Sequence, residues 1–217
     1  MSGWSMDEVA AIAANDISDG AYVNLGIGLP ERVANFVPEG REFIFHSENG
    51  ILGMGPQEAE SLWDSDLINA GKKPVSLLTG GSFFHHADSF MMIRGGHIDI
   101  CILGAFEVSV DGDLANWRAA GDNAIPAVGG AMDLAVGAKS VRVITRHTAK
   151  DQTAKLVKQL GLPATARAVV DRIYTELAVI DPRGDAFVVR RLFPSCSKEQ
   201  LQSLTSAPLR FELEWSD

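Results

Sequence analysis

Cysteine is scarce: the 217 residues contain two, Cys101 in IDICILGAF and Cys196 in FPSCSKEQ. That excludes the disulfide framework of a small secreted domain and leaves one buried thiol and one loop thiol as the plain reading. Basic runs are missing too. No five consecutive Lys or Arg occur and the formal net charge is -9, so nucleic acid is not an expected partner. An anionic metabolite stays compatible, because helix N-termini and other local groups meet its charge. No apolar run approaches the ~20 residues of a membrane span. The opening MSGWSMDEVAAIAANDISDG lacks the basic-then-apolar order of a signal peptide. These absences together give the expectation of a soluble, cytoplasmic protein with no membrane contact. With 46% hydrophobic and 22% charged residues the chain has the composition of a folded protein. No repeat, low-complexity tract or Pro/Ser-rich linker divides it, so one domain over residues 1–217 is expected.

Glycine is what the sequence has in quantity: 21 residues, many grouped in NLGIGLP, ENGILGMGP, LTGGSFF, IRGGH and AVGGAMD. Each group follows or opens a predicted element. Ser5 and Glu8 form a capping-box pattern ahead of a helix with Val9, Ile12, Ala13 and Ile17 on one face and Gly20 as its stop. AYVNL reads as a strand, and Pro30 suits the first position of a second helix. EFIFH is a strand, the acidic QEAESLWDSD follows its glycine loop, and PVSLLTGG and IDICILGAFEV read as buried strands. GGAMDLAVGAKS opens a helix, VRVITRH is a strand, and RAVVDRIYTELAVIDPRGDAFVVRRL gives strands with a hairpin at DPRGD. SKEQLQSLTS carries a second capping pattern. Short strands alternating with helices predict an α/β fold with an open, mostly parallel sheet and flanking helices. In such a sheet glycines beyond the carboxyl ends of the strands suit a shared ligand cleft, with plain turns as the alternative reading.

Four motifs bear on chemistry. GIG at 26–28 would need a third glycine at 31 for a dinucleotide fingerprint, and that residue is Glu31. His85, His86 and Asp88 in FFHHADS lack the spacing of metal ligands, so no metal is expected and the histidines are read as bonding loop backbone or facing a neighbouring protomer. Ser82 in TGGSFFHH lacks the second glycine of a nucleophile elbow, which leaves a Ser82 hydrolase as a minor alternative. Glu48 follows a strand directly and precedes Asn49-Gly50, a pair suited to tight turns. On the residues alone it is either an incidental turn residue or a carboxylate displayed at a strand end, and both readings stand.

SENGILGMGP resembles the signature of the B (β) subunit of class I (3-oxoacid) CoA-transferases. The resemblance continues through GAYVNLGIGLPERVANFVP, the stretch from DLINAGKKP to ILGAFEVS, GDLANW and IPAVGGAMDLAVGAK, then loosely through HTAKDQTAKLV and RIYTELAVI. HSENGILGMGP and FFHHADSFMMIRGGHIDI look most like the 3-oxoadipate type, with an acetoacetate/acetate type as the alternative. KQLGLPATARAVVDR departs from the family pattern, lacking the expected Cys and Leu-Thr-Gly, which bears on substrate and leaves catalysis untouched. The resemblance implies a CoA-transferase-like fold, Glu48 as catalytic nucleophile, Gly129 and Gly130 as backbone oxyanion donors, and Asn49 as a residue orienting substrate or nucleophile. It implies coenzyme A as a substrate, with no resident cofactor. The reaction would move CoA from succinyl-CoA to a 3-oxo acid such as 3-oxoadipate, with acyl-CoA and the acid as ligands. No glycine-phenylalanine-glycine CoA-binding signature of the family's A subunit occurs, so a separate A subunit is the implied partner, in a heterodimer or an assembly of heterodimers. The competing non-enzymatic reading is an acyl-CoA- or sugar-phosphate-binding α/β module in which Glu48 is a turn residue.

Overall fold

The computed structural model describes residues 3–55, 63–119, 121 and 125–213; the QEAESL part of the acidic stretch lies outside them. Helix α1 spans Met6–Asn15 and its capping box is complete, with Ser5 Oγ accepting from Glu8 N at 3.2 Å and Glu8 Oε2 accepting from Ser5 N at 2.7 Å. Val9 and Ala13 are buried as the periodicity predicts. The helix stops at Asn15, short of Gly20. Arg41 takes up the terminal carbonyls instead, donating to Asn15 O at 2.9 Å and Ile17 O at 3.0 Å, which satisfies the orphan acceptors of a helix end.

The strands that follow are β1 (Tyr22–Leu25), β2 (Ile44–Ser47), β3 (Ile51–Met54), β4 (Leu77–Phe83), β5 (Ile100–Leu103), β6 (Glu107–Ser109), β7 (Leu114–Ala115), β8 (Ser140–Ile144), β9 (Leu156–Val157), β10 (Val170–Tyr174), β11 (Ala178–Pro182), β12 (Phe187–Leu192) and β13 (Leu209–Phe211). A 3₁₀ segment, Pro30–Phe36, stands where the sequence predicts the second helix, with Pro30 in its first turn. Helices α2 (His86–Arg94), α3 (Ala131–Gly137) and α4 (Lys198–Ser203) complete the chain. Ten strands form one sheet in the order β13-β12-β11-β10-β8-β5-β1-β2-β3-β4, and β7-β6-β9 form a second. The centre is parallel: β2, β1, β5, β8 and β10 pair in one direction. Antiparallel strands extend both sides, through β3 and β4 at one end and β11 and β12 at the other. The expected α/β architecture with a mostly parallel sheet is therefore present in its centre, and the mixed flanks follow from hairpins.

Two expectations change. IDICILGAFEV divides at Gly104-Ala105-Phe106, giving β5 to the large sheet and β6 to the small one. PVSLLTGG reads as a buried strand, yet Leu78 is 43% exposed and Phe83 63% exposed. The reason is topological: β4 pairs with β3 alone, so it is the edge of the sheet, and an edge strand lacks neighbours to cover it.

Cores form on both faces of the sheet. α1 packs with Trp4, Val23, Phe45 and Ile102 on one side; Ile93, Leu103, Leu134, Ile173 and Phe187 gather on the other. Between β10, β11 and β12 the sheet holds a charged cluster. Asp181, 1% exposed, meets Arg172 Nε at 2.7 Å, Arg190 Nε at 2.9 Å and Arg183 Nη2 at 3.0 Å. Asp16 joins it, accepting from Tyr174 Oη at 2.8 Å and Arg172 Nη1 at 3.1 Å. This ties the end of α1 to the sheet.

Candidate active site

Glu48, Asn49 and Gly50 form a three-residue loop between β2 and β3, closed by the pairing of Ser47 with Ile51. The tightness of the loop dictates glycine at its last position. Gly50 has φ +115°, and a Cβ there would stand 2.2 Å from the Phe84 carbonyl oxygen. Any side chain would collide with β4's exit, and the turn holding Glu48 would shift.

Behind Glu48 lies a relay of buried polar groups. Asn24, fully buried on β1, directs its Nδ2 to Glu48 Oε2 at 3.2 Å, to the His46 carbonyl at 3.2 Å and to His46 Nδ1 at 3.1 Å. His46 Nε2 meets Ser89 Oγ of α2 at 2.9 Å, and its ring stacks on Phe84. An Asn24 amide that donates to Nδ1 fixes the imidazole as the Nε2-protonated tautomer, which donates onward to Ser89. Burial lowers the His46 pKa to about 4, so the ring is neutral and accepts from Asn24. His147, between Thr175 Oγ1 at 3.1 Å and Thr205 Oγ1 at 2.9 Å, is also lowered to about 4 by burial.

Both histidines make stability fall in mild acid. In the unfolded chain they take up protons near 6.5; folded, they resist until about 4. Between those values the unfolded state holds more protons, so stability drops as pH falls through that window, by about 3 kcal/mol for each histidine. Urea midpoints measured at intervals from pH 7 to pH 4 should decline, and His147→Gln should flatten the decline. An equal slope in that variant would contradict the assignment.

Glu48 faces a cleft of about 820 Å³ at the carboxyl ends of the parallel strands. Its wall takes Gly26 and Ile27 after β1, Glu48 after β2, Gly104 and Ala105 after β5, and Thr145 after β8. The chain runs from β1 to β2 on one side and places β5 on the other side, so the cleft sits where the strand order reverses, the general location of ligand sites in open α/β sheets. Gly129 and Gly130 line it as well. A Cβ on Gly130 would lie 3.8 Å from Glu48 Cγ and 3.1 Å from Phe90 Cζ, so Gly130 stands beside the Glu48 side chain. Among the described residues, neither amide N–H of the pair has a hydrogen-bond acceptor. Asn49 also lines the cleft, but its side chain donates to Ile68 O at 2.7 Å and holds the following loop; the amide that reaches Glu48 is that of Asn24.

Glu31, the residue that breaks the dinucleotide pattern, accepts from Gly28 N at 2.8 Å, Lys73 Nζ at 2.8 Å and Asn69 Nδ2 at 3.0 Å. Its carboxylate thus takes up the Gly28 amide of the GIG loop. His85 caps α2 by accepting from Ala87 N at 3.1 Å, one of the two roles read for it, and His86 packs on Phe90. No group of three or more His, Cys, Asp or Glu suited to a metal ion occurs among the described residues, and none of their helices is long and apolar enough to cross a membrane. Ser82 lies within β4, opposite Leu52. Sequence reading missed Asn24, His46, Ser89 and Lys155. Only the apolar company of Asn24 in YVNL hinted at a buried polar group, and nothing local linked it to a residue 24 positions away.

The Coenzyme A transferase family model matches residues 6–201. The B subunit of the 3-oxoadipate CoA-transferase of Acinetobacter baylyi is 52% identical over 203 residues, covering 94% of this chain and 94% of that one. The B subunit of the succinyl-CoA:3-ketoacid coenzyme A transferase of Helicobacter pylori is 47% identical, covering 93% and 96%. Among solved structures, the acyl-CoA transferase YdiF of Escherichia coli O157:H7 superposes with a TM-score of 0.73 at 19% identity over 99% of this chain. The chain spans 43% of the length of that protein. With a family match over most of its length and B-subunit relatives aligned nearly end to end, the chain belongs to the Coenzyme A transferase family as a class I B subunit.

Proposed function

We propose that the protein transfers CoA from succinyl-CoA to a 3-oxo acid, 3-oxoadipate above all, through a covalent glutamyl-CoA thioester on Glu48. The observation that carries this reading is the carboxylate held by Asn24 on a rigid hairpin loop, facing a glycine-lined cleft. The substrates follow the names of its relatives. The Glu48 carboxylate attacks the thioester carbonyl of succinyl-CoA, forming a mixed anhydride and releasing CoA thiolate. The thiolate attacks the glutamyl carbonyl of that anhydride, giving the enzyme thioester and free succinate. The carboxylate of the 3-oxo acid then attacks the enzyme thioester, forming a second anhydride and freeing the thiolate again. Attack of that thiolate on the acyl carbonyl yields the new acyl-CoA and regenerates Glu48.

Each tetrahedral intermediate carries an oxyanion. Gly129 and Gly130 line the same cleft as Glu48, and their N–H groups have no acceptor among the described residues, which suits them to receive it; such a donor is worth about 3 kcal/mol in the transition state. Apolar wall residues such as Ile27, Phe90, Leu103 and Phe106 keep water from the anhydride. Asn24 positions the nucleophile, and Asn49 contributes by fixing the loop after Ile68 at the cleft rim. Coenzyme A is a substrate, and no resident cofactor or metal takes part. An A subunit supplies the CoA-binding half in a hetero-oligomer, in keeping with the naming of the relatives as B subunits and with the greater length of YdiF. The setting is cytoplasmic catabolism of aromatic compounds. Incubating the A/B complex with succinyl-CoA, reducing with borohydride and mapping peptides should place the modification at Glu48. An unmodified Glu48 peptide during steady turnover would reject the mechanism.

A further inference from the structure

We infer that Lys155 is the counter-charge for the second carboxylate of a dicarboxylic acyl group bound in the cleft. The inference rests on the function proposed above, in which Glu48 engages only one end of the substrate. Succinate and 3-oxoadipate each carry a second carboxylate remote from the reacting carbon. That charge must be met inside the cleft or left poorly solvated, which is costly.

Among the described residues lining the cleft, Lys155 is the sole Lys or Arg. The other basic side chain there is His86, whose ring packs 4.8 Å from that of Phe90. Lys155 precedes β9 and crosses to the floor of the cleft, where Nζ donates to the Ala105 carbonyl at 3.0 Å and Thr145 Oγ1 at 2.9 Å. Both acceptors are neutral, and Lys155 takes part in none of the ion pairs among the described residues.

An ammonium has three donors. Two are spent on the wall and hold Nζ still, and the third remains for a ligand. Burial pulls the Lys155 pKa down, with the field of Glu176 opposing. A partly desolvated cation paired only with neutral oxygens is an arrangement that an incoming carboxylate improves, because charge-assisted hydrogen bonds are the strong ones.

The test uses the assembled A/B complex with succinyl-CoA as donor and compares 3-oxoadipate with 3-oxohexanoate, which has the same chain length and one charge fewer. Lys155→Met should lower the ratio of their kcat/KM values by about tenfold or more, and Lys155→Arg should retain most of the preference. A ratio within twofold of wild type in Lys155→Met overturns the inference, whether the two rates hold or fall together. Should that variant fail to assemble, inhibition of the wild-type complex decides: adipate should bind about tenfold more tightly than hexanoate, and equal inhibition overturns the inference. Trapping of the Glu48 thioester in the same wild-type preparation separates the outcomes, since its failure rejects the mechanism and its success with an unchanged ratio rejects only the role of Lys155.

Discussion

Glu48→Ala should lower CoA transfer by the A/B complex by at least about 10⁴-fold, with an unchanged thermal midpoint within about 1 °C. The size of the loss follows from covalent chemistry: without the carboxylate no anhydride forms, and positioning alone leaves only residual catalysis. The near-neutral effect on stability follows from where Glu48 sits. It is a partly exposed loop residue whose described side-chain hydrogen bond is to Asn24 at 3.2 Å, and the turn itself is held by Gly50 and the Ser47–Ile51 pairing. Glu48→Gln is the sharper control. It preserves shape and a bond to the relay while removing the nucleophile, so it should be as inactive as alanine. A variant with near-wild-type turnover would return Glu48 to the status of a turn residue.

The second large effect is on stability. Asp181→Ala should cost about 3 kcal/mol, which for a chain of this length corresponds to a fall in Tm of roughly 6–12 °C, measured in the same assembly state as wild type. Burial works against the Asp181 carboxylate, but Arg172, Arg190 and Arg183 outweigh it, and its pKa lies below the ordinary carboxylate value. A depressed folded-state pKa means that the stabilisation is present above the unfolded value of 3.8 and disappears as pH falls through the lower folded value. The gap between variant and wild type should therefore be widest near neutrality and close in strong acid. Removing the anion takes the shared carboxylate from Arg172, Arg190 and Arg183 at a buried position and leaves Arg172 with Asp16 and Arg190 with Glu212, whereas replacing an exposed pair such as Arg32–Asp7 would change little. A deficit below about 1 kcal/mol would show that the arginines find other partners.

The fold was legible wherever a local rule governed the chain. Both capping boxes, at Ser5 and Ser197, are complete, and the turn at DPRGD joins β11 to β12 as Pro and Gly predict. Edge status was not legible, because PVSLL carries the same apolar pattern whether or not a strand lies beyond it. The 3₁₀ winding after Pro30 was not legible either, since proline favours the first turn of both helix types. For the site, the glycine clusters foretold a cleft, and three of the five, NLGIGLP, ENGILGMGP and AVGGAMD, contribute residues to its lining. Asn24 and Lys155 escaped notice because their meaning depends on partners 24 and up to 50 positions away, and single-sequence pattern carries no information on such contacts.

The hairpin loop at Glu48–Gly50 has a bearing on how such a chain can diverge. Its length is fixed twice over: by the pairing of β2 with β3, which a one-residue insertion would slide, and by the position of the carboxylate over the cleft. The turn between β11 and β12 answers only to pairing, and surface connections answer to neither. On the proposed mechanism, a one-residue insertion in this segment should therefore abolish transfer, while the same insertion at the β11–β12 turn should leave it largely intact.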